Sequence, residues 1–294
     1  MTTEQLQRRI SAAEDLQSIV RTMKALAAAN MNQYERAVEA LAGYGQALEL
    51  AFQVVIRNRP ADLLFDRPPP GGRLGVLVFG SDQGLVGQFN ERIAARALET
   101  MSRLQPRPEL RSVLAVGLRA AASLELAGHE VETVLPVPSG AGAITPTVQR
   151  LLLHIERWRA GSDVARVVLC YNKPLSQVTY GPVSVTLLPT DLDLLRTLSG
   201  KPWPNRVLPT FSADWDRLFS GLTRQQLFVG LYRALAESMA SENASRLASM
   251  QAAERNIGER LDEFRAEYHR LRQTAITAEL LDIVSGFEAL TGPA

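Results

Sequence analysis

Two short stretches hold the residue types from which chemistry is usually built. The first is FGSDQGLVGQFN, residues 79–90, a glycine-rich turn between a β-branched run and a helical pattern. In a wound α/β domain that position often cradles phosphate, because backbone N–H groups and a helix dipole converge there. This stretch lacks the Gly-Lys-Ser/Thr of a P-loop, and Gly80, Gly84 and Gly87 do not keep dinucleotide spacing. A tight turn or a protein-contact loop fits it better. Asp82 is placed to act as a base, but an aspartate in such a loop more often caps a helix or sets a turn. The second stretch is LRQTAITAELLDIVSG, residues 271–286, where Arg272 is the last basic residue of the chain. Gln273 and Thr277 are four apart and share one helical face.

Other chemistry has little to work with. His129, His154 and His269 are scattered, without metal-ligand spacing. Cys170 is the only cysteine, so no internal disulfide forms, which suits a reducing compartment. It lies in an apolar run and reads as a small core residue. No serine sits in a G-x-S-x-G elbow and no carboxylate pair stands apart from solvated helix charges. No catalytic residue, metal site or cofactor is expected within this chain. The 32 Lys and Arg nearly balance the 31 Asp and Glu, and no block of like charge marks a nucleic-acid or membrane surface. No apolar run approaches the roughly 18 residues that span a bilayer. The opening MTTEQLQRRI meets charge before any apolar core, unlike a secretory signal. Direct membrane insertion is therefore not expected.

The elements that must carry these stretches are punctuated by proline. Of sixteen prolines, fifteen lie between residues 60 and 209, leaving both ends open to uninterrupted helix. Stepping by four and three from Leu6 reaches Ile10, Ala13, Gln17, Val20, Lys24, Ala27, Met31, Tyr34, Val38, Leu41, Gly45, Leu48, Phe52 and Val55. Only Gln17, Lys24 and Gly45 break that stripe. The walk from Leu247 gives Met250, Glu254, Ile257, Leu261, Phe264, Tyr268, Leu271 and Ala275, with Glu254 the one break. Such seams predict a coiled coil, antiparallel because a compact domain lies between the two helices. Beyond Ala275 the stripe shifts by one, to Ile276, Leu280, Ile283 and Phe287, so the helix end faces a new direction. An apolar end with a few directed polar groups suits a protein socket. In IVRTMKALAAANM (19–31), alanines cluster where surfaces approach closely.

The middle alternates. RLGVLVFG (73–80), RSVLAVG (111–117), HEVETVLPV (129–137) and ARVVLCYN (165–172) read as strands, with a last extended stretch at SQVTYGPVSVTLLP (176–189). Helical patterns at 91–104, 118–128 and 145–161 separate them, which predicts a mostly parallel sheet covered by helices. Residues 190–212 read as irregular. The fold class is α/β plus a long antiparallel coiled coil, with a long helix over 1–59, an α/β domain over 60–212 and a second long helix over 213–294.

These residues carry a family resemblance. ALAESMASENASRLASMQAAERN (234–256) followed by YHRLRQTAITAELLDIVSGFEAL (268–290) resembles the C-terminal signature of the gamma subunits of F-type ATP synthases. RRISAAEDLQSIVRTMKALAAANM matches that family's first helix without a gap, and SDQGLVGQFN resembles its S-D-R-G-L-C-G-G-x-N loop. The resemblance implies a shaft of two end helices and a Rossmann-like domain at its foot that holds no dinucleotide. It implies a rotor in the central stalk, partnered by the alpha and beta subunits of the catalytic hexamer, the epsilon subunit and the membrane c-ring. ATP synthesis itself would belong to those partners. The chain would then be a peripheral protein on the cytoplasmic face of a bacterial inner membrane.

The family's R-Q-x-x-I-T motif meets a beta-subunit loop, which falls here on Arg272, Gln273 and Thr277. Met23 matches a position near the beta lever loops. Ser81, Asp82, Gln83, Gly84 and Gly87 fall in the family's contact loop. Gln83, Val86 and Gln88 replace its usual arginine, cysteine and second glycine, and Ser18 and Val20 replace a lysine and a threonine. These departures mark a divergent bacterial form, of the kind an alternate ATPase would carry. On the residues alone, a coiled-coil scaffold and a dinucleotide-binding α/β enzyme with helical dimerisation arms remain the other readings.

Overall fold

A computed structural model describes residues 2–58, 72–161, 163–176, 179–190, 197–198, 200–204, 207 and 209–291, with residues 286–291 described by backbone alone. It forms two compact units, one of Met1–Leu26 with Leu247–Ala294 and the other of Ala27–Arg246. Helix α1 spans Thr3–Arg57 and the last helix, α5, spans Trp215–Thr291.

In the first unit the α1 stripe turns inward. Leu6 and Val20 are buried, Ile10, Ala13, Gln17 and Lys24 are half-buried, and their neighbours along the helix are exposed except Met23, which is half-buried. On α5, Met250 and Leu261 are buried and Glu254, Ile257, Phe264, Tyr268 and Leu271 half-buried. Arg21 Nε donates to Glu254 Oε1 at 3.0 Å, and Lys24 Nζ to Glu254 Oε2 at 2.5 Å. Arg265 donates to Glu14 at 2.6 Å. As α1 numbers rise from 14 to 24, their partners fall from 265 to 254, so the pair is antiparallel. Each interruption of the seam here has its complement opposite. Lys24 meets Glu254, and Gln17 meets Gly258, where an added Cβ would lie 3.9 Å from the amide nitrogen.

The second unit contains the sheet, with strands β1 Arg73–Phe79, β2 Arg111–Val116, β3 Thr133–Leu135, β4 Val164–Pro174 and β5 Tyr180–Leu188. Its order is β3-β2-β1-β4-β5; all pairings are parallel except β4 with β5. Helices α2 (Phe89–Leu104), α3 (Leu118–Leu126) and α4 (Ile144–Gly161) connect the strands. Parallel strands need cover on both faces, which is why β1 reads as nearly continuous apolar sequence. Leu74, Val76, Val78, Val113, Val168 and Cys170 pack under α2 and α3. Leu77, Phe79, Leu114, Val116, Val167 and Leu169 face α4, Tyr34, and Leu231, Leu235 and Met239 of α5.

The third strand is shorter than its pattern. Pro136 and Pro138 deprive the edge of ladder donors, and only Thr133–Leu135 pair with β2. Pro182 is accommodated within β5 because that strand forms the other edge. The third seam break, Gly45, faces Arg233, whose guanidinium lies 3.5 Å from where a Cβ would stand. Toward the start of α5, Asp214 accepts from Arg217 N at 3.0 Å as a cap, and Trp215 stacks on Phe219 with ring centres 4.8 Å apart.

Two outcomes follow from this packing. Hydrogen bonds from Lys24 and Arg21 hold the Glu254 carboxyl below its ordinary 4.5. A depressed carboxyl stabilises the folded state at neutral pH and loses that effect as pH falls through its folded value. Glu254→Gln should therefore flatten the loss of far-UV helix signal on acidification below pH 4.5; an unchanged acid profile would remove this pair from the seam. Burial pushes the Cys170 thiol up to about 12. Native protein should not react with DTNB at mildly alkaline pH, and one equivalent should react once it is unfolded.

Candidate functional site

The glycine-rich loop is built to satisfy its own polar groups. Ser81 is fully buried; its N–H donates to Asn90 Oδ1 at 3.0 Å and its hydroxyl to the Gln83 carbonyl at 2.8 Å. Asn90 Nδ2 returns a bond to Ser81 Oγ at 2.9 Å. The loop's two ends are thus clipped together across nine residues. Asp82 reaches outward from this clip. Its Oδ1 accepts from Leu118 N, the first residue of α3, and its Oδ2 from Val137 N, both at 2.9 Å. Gly117 precedes α3 and has no side chain to cap it, so Asp82 caps it from another segment and sets a negative charge at its positive end. This is the capping role, not a base poised over substrate.

Glycine is required where these segments touch. Gly117 has φ of +109°, and a Cβ there would stand 2.8 Å from the backbone of Gly80 and Ser81. A Cβ on Gly80 would stand 2.3 Å from that of Ala120. The spacing that failed the dinucleotide pattern serves close approach of the loop to α3. Ser81 N–H, the obvious anion donor, is already spent on Asn90.

At the tip, Gln83, Leu85, Gly87 and Gln88 are exposed, while Val86 is buried. Leu85 holds φ of +62° with its side chain 60% exposed. Of the loop residues expected to meet a partner, Gln83 and Gly87 present themselves, and Ser81 and Asp82 are committed to internal bonds. Gly84 is half-buried.

Behind the loop, α5 buries Ser238, Ser241, Glu242, Asn243 and Ser245. Arg246 bonds Glu242 at 2.7 Å, with both side chains almost wholly buried. Burial pushes the Glu242 carboxyl up, the Arg246 guanidinium opposes this, and Asp82 pushes it further up. Tyr34 is raised too, first by burial and then by Glu242. Ser245 Oγ donates to the Val86 carbonyl at 2.6 Å, and Asn172 Nδ2 to the Phe89 carbonyl at 3.0 Å. None of these ties shows in periodicity. The one signal was the four polar residues of MASENAS (239–245), a stretch buried all round the helix.

In the other unit, α5 outruns its seam. Leu271 is half-buried and every described side chain from Arg272 to Ser285 is exposed. Ile276, Leu280, Leu281, Ile283 and Val284 stand 46–69% exposed. Arg272, Gln273 and Thr277 therefore share a bare helix end; Phe287 lies outside the described side chains. Thr277 Oγ1 donates to the Gln273 carbonyl at 2.9 Å, which leaves its oxygen lone pairs to accept from another protein. Met23 is half-buried beside Lys24, level with Glu254. It is not gathered with the Arg272 group, since about 27 Å of helix separates the two levels.

A family model described as ATP synthase matches residues 2–290. The ATP synthase gamma chain of Granulibacter bethesdensis is 29% identical, over 97% of this chain and 98% of its own. That of Thermosynechococcus vestitus is 28% identical, over 96% and 97%. Among solved structures, a chain of the Euglena gracilis mitochondrial ATP synthase (OSCP/F1/c-ring) gives a TM-score of 0.65 at 16% identity, covering 100% of this chain and 97% of that one. One from the central stalk and c-ring of the Tetrahymena thermophila mitochondrial enzyme gives 0.56 at 20%, covering 80% and 99%. These solved structures share the fold of long terminal helices around a five-stranded sheet.

Asp82 carries two charge-assisted bonds between segments distant in sequence. Asp82→Ala should lower unfolding free energy by about 2–4 kcal/mol in urea melts, and Asp82→Asn by less. A loss under about 0.5 kcal/mol, ordinary for a surface change, would contradict that role.

Proposed function

The chain belongs to the ATP synthase family, and from that premise we propose that it is the central-stalk rotor, the gamma subunit, of an F-type ATP synthase. It turns with the c-ring of the membrane sector inside the ring of alternating alpha and beta subunits. Ion-driven rotation thereby reaches the beta catalytic sites as a sequence of conformations. The chain is a non-catalytic subunit, and ATP chemistry stays with its partners. The two end helices, within 1–59 and 213–294, serve as the shaft. The domain within 60–212 serves as the foot toward the c-ring and the epsilon subunit. No helix among the described residues is long and apolar enough to cross a membrane, and we assign the chain a peripheral place on the cytoplasmic face of a bacterial inner membrane.

One observation carries this reading: the end of α5 leaves its seam and stays uncovered while rich in isoleucine, leucine and valine. A contiguous apolar patch on an exposed helix marks an interaction surface. A sleeve of the catalytic hexamer covers it in the proposed complex. Arg272, Gln273 and Thr277 supply directed bonds to a beta-subunit loop, and Met23 joins the surface met by the beta levers. In the glycine-rich loop, Gln83, Gly84 and Gly87 face a neighbouring subunit, with Ser81 and Asp82 shaping the loop from within. The Gln83, Val86 and Gln88 departures fall on a loop whose internal clip does not use those side chains, so its form survives them.

The test is a double substitution in the assembled complex. Gln273→Ala with Thr277→Ala removes about two neutral hydrogen bonds, about 2 kcal/mol. Coupled ATPase turnover should fall by up to about thirtyfold while all subunits still co-purify. Wild-type turnover in a fully assembled complex would sink the assignment of this surface.

A further inference from the structure

Where the loop meets α5, a short chain of hydrogen bonds joins three elements. Tyr180 of β5 lies 3.1 Å from Ser245 Oγ on α5, and that hydroxyl lies 2.6 Å from the Val86 carbonyl in the loop. Val86 has only a carbonyl to offer, so Ser245 gives its hydrogen there and accepts from Tyr180. All three partners are buried or half-buried. Tyr180 is itself held at its ring, tilted against Phe89 with centres 5.5 Å apart and with Arg92 5.8 Å over its centre. Val86 directly follows Leu85, whose left-handed φ of +62° is one that non-glycine residues keep only where their surroundings impose it.

We propose that Ser245 is a positioning residue for rotary coupling: through the Val86 carbonyl it fastens the tip of the loop to α5 and keeps Leu85 turned outward. This rests on the rotor reading above. A loop that met a neighbouring subunit while free to rock on its own hinge would dissipate the displacement it is meant to transmit. Fastened at Val86, it moves with the helix. The clip of Ser81 and Asn90 closes the base of the loop and reaches the Gln83 carbonyl, and Phe89 N also donates to the Val86 carbonyl at 3.2 Å; Ser245 adds the tie that leads from the tip to α5.

The experiment uses the assembled complex in ion-tight vesicles, comparing wild type with Ser245→Ala and Tyr180→Phe. Hydrogen exchange of residues 83–88 should quicken three- to tenfold in Ser245→Ala, the equilibrium weight of one neutral hydrogen bond. Ions pumped per ATP hydrolysed should fall at least twofold, with ATPase turnover less affected. Tyr180→Phe, which keeps the bond to Val86, should give the same changes at smaller size. Unchanged exchange would show that Ser245 does not hold the loop, and faster exchange with an unchanged pumping ratio would show that coupling does not use it; either overturns the proposal. A wild-type chain that fails to enter the complex at all overturns the rotor reading, an outcome distinct from both.

Discussion

Two apolar helices of this length have no register of their own. Slid by one heptad, a leucine seam replaces one leucine with another at little cost, and the pair could settle in several alignments. What excludes them is the set of polar interruptions. In one unit Lys24 must find Glu254; a heptad slip would set it beside Leu247 or Leu261 and leave both charges unanswered. Lys24, Glu254 and the Arg21 that shares it all keep part of their side-chain surface in water, so the pair adds only modest stability when it is in register. The ion pair therefore specifies alignment more than it adds stability, the best-attested use of a polar residue at a seam position. Gln17 against Gly258 works by size, a long side chain received where its opposite has none. Within the other unit, Gly45 receives Arg233 in the same way.

The glycine-rich loop obeys a related rule. A loop set against buried strand ends must find partners for its backbone groups without water, and it does so by folding onto Asn90 and Ser245, while Asp82 answers the N–H groups of Leu118 and Val137 in neighbouring segments. In that closure the Ser81 N–H, the natural anion donor, is already bonded to Asn90. Buried Glu242 and Arg246 extend the polar layer into α5. A charge pair so enclosed is a poor source of stability, and its presence beneath the loop gives that junction a second specific geometry beside the apolar packing around it.

What could be read beforehand follows from the range over which each signal acts. The seams were legible because burial repeats with the turn of a helix, and all fifteen positions from Leu6 to Val55 are buried or half-buried. Strands β1, β2 and β4 were legible as short β-branched runs covered on both faces. The third strand was overread: of residues 129–137 only Thr133–Leu135 pair, since Pro136 lacks a donor at one end and the His129 N–H is taken by Leu124 at the other. The ties that shape the site were not legible at all. Asp82 finds Leu118 and Val137 at separations of 36 and 55 residues, and Ser245 finds Val86 at 159. Periodicity is blind to such pairs. The seam breaks were visible as exceptions, but their matching is a property of two helices together.

The end of α5 poses a different problem, since there the sequence and the isolated chain disagree about what is satisfied. Leaving the seam at Leu271, the helix exposes a run of large apolar side chains and, beyond Arg272, retains only Glu279 and Asp282 as charges before Ser285. An unsupported helix end gains little from propensity alone, and its stability must come from something packed against it. On the rotor reading that something is a sleeve which presents several similar faces in turn. Formal charges inside a dry sleeve would either find partners and hold one angle too firmly, or fail to find them at a large desolvation cost. Aliphatic groups grip no angle in particular. In the proposed contact, amide and hydroxyl groups at Gln273 and Thr277, with one arginine at the mouth, would bias an angle by an amount that thermal and ion-driven work can undo. The composition of the tip is then what a surface needs if it must fit closely, prefer one orientation slightly and still turn.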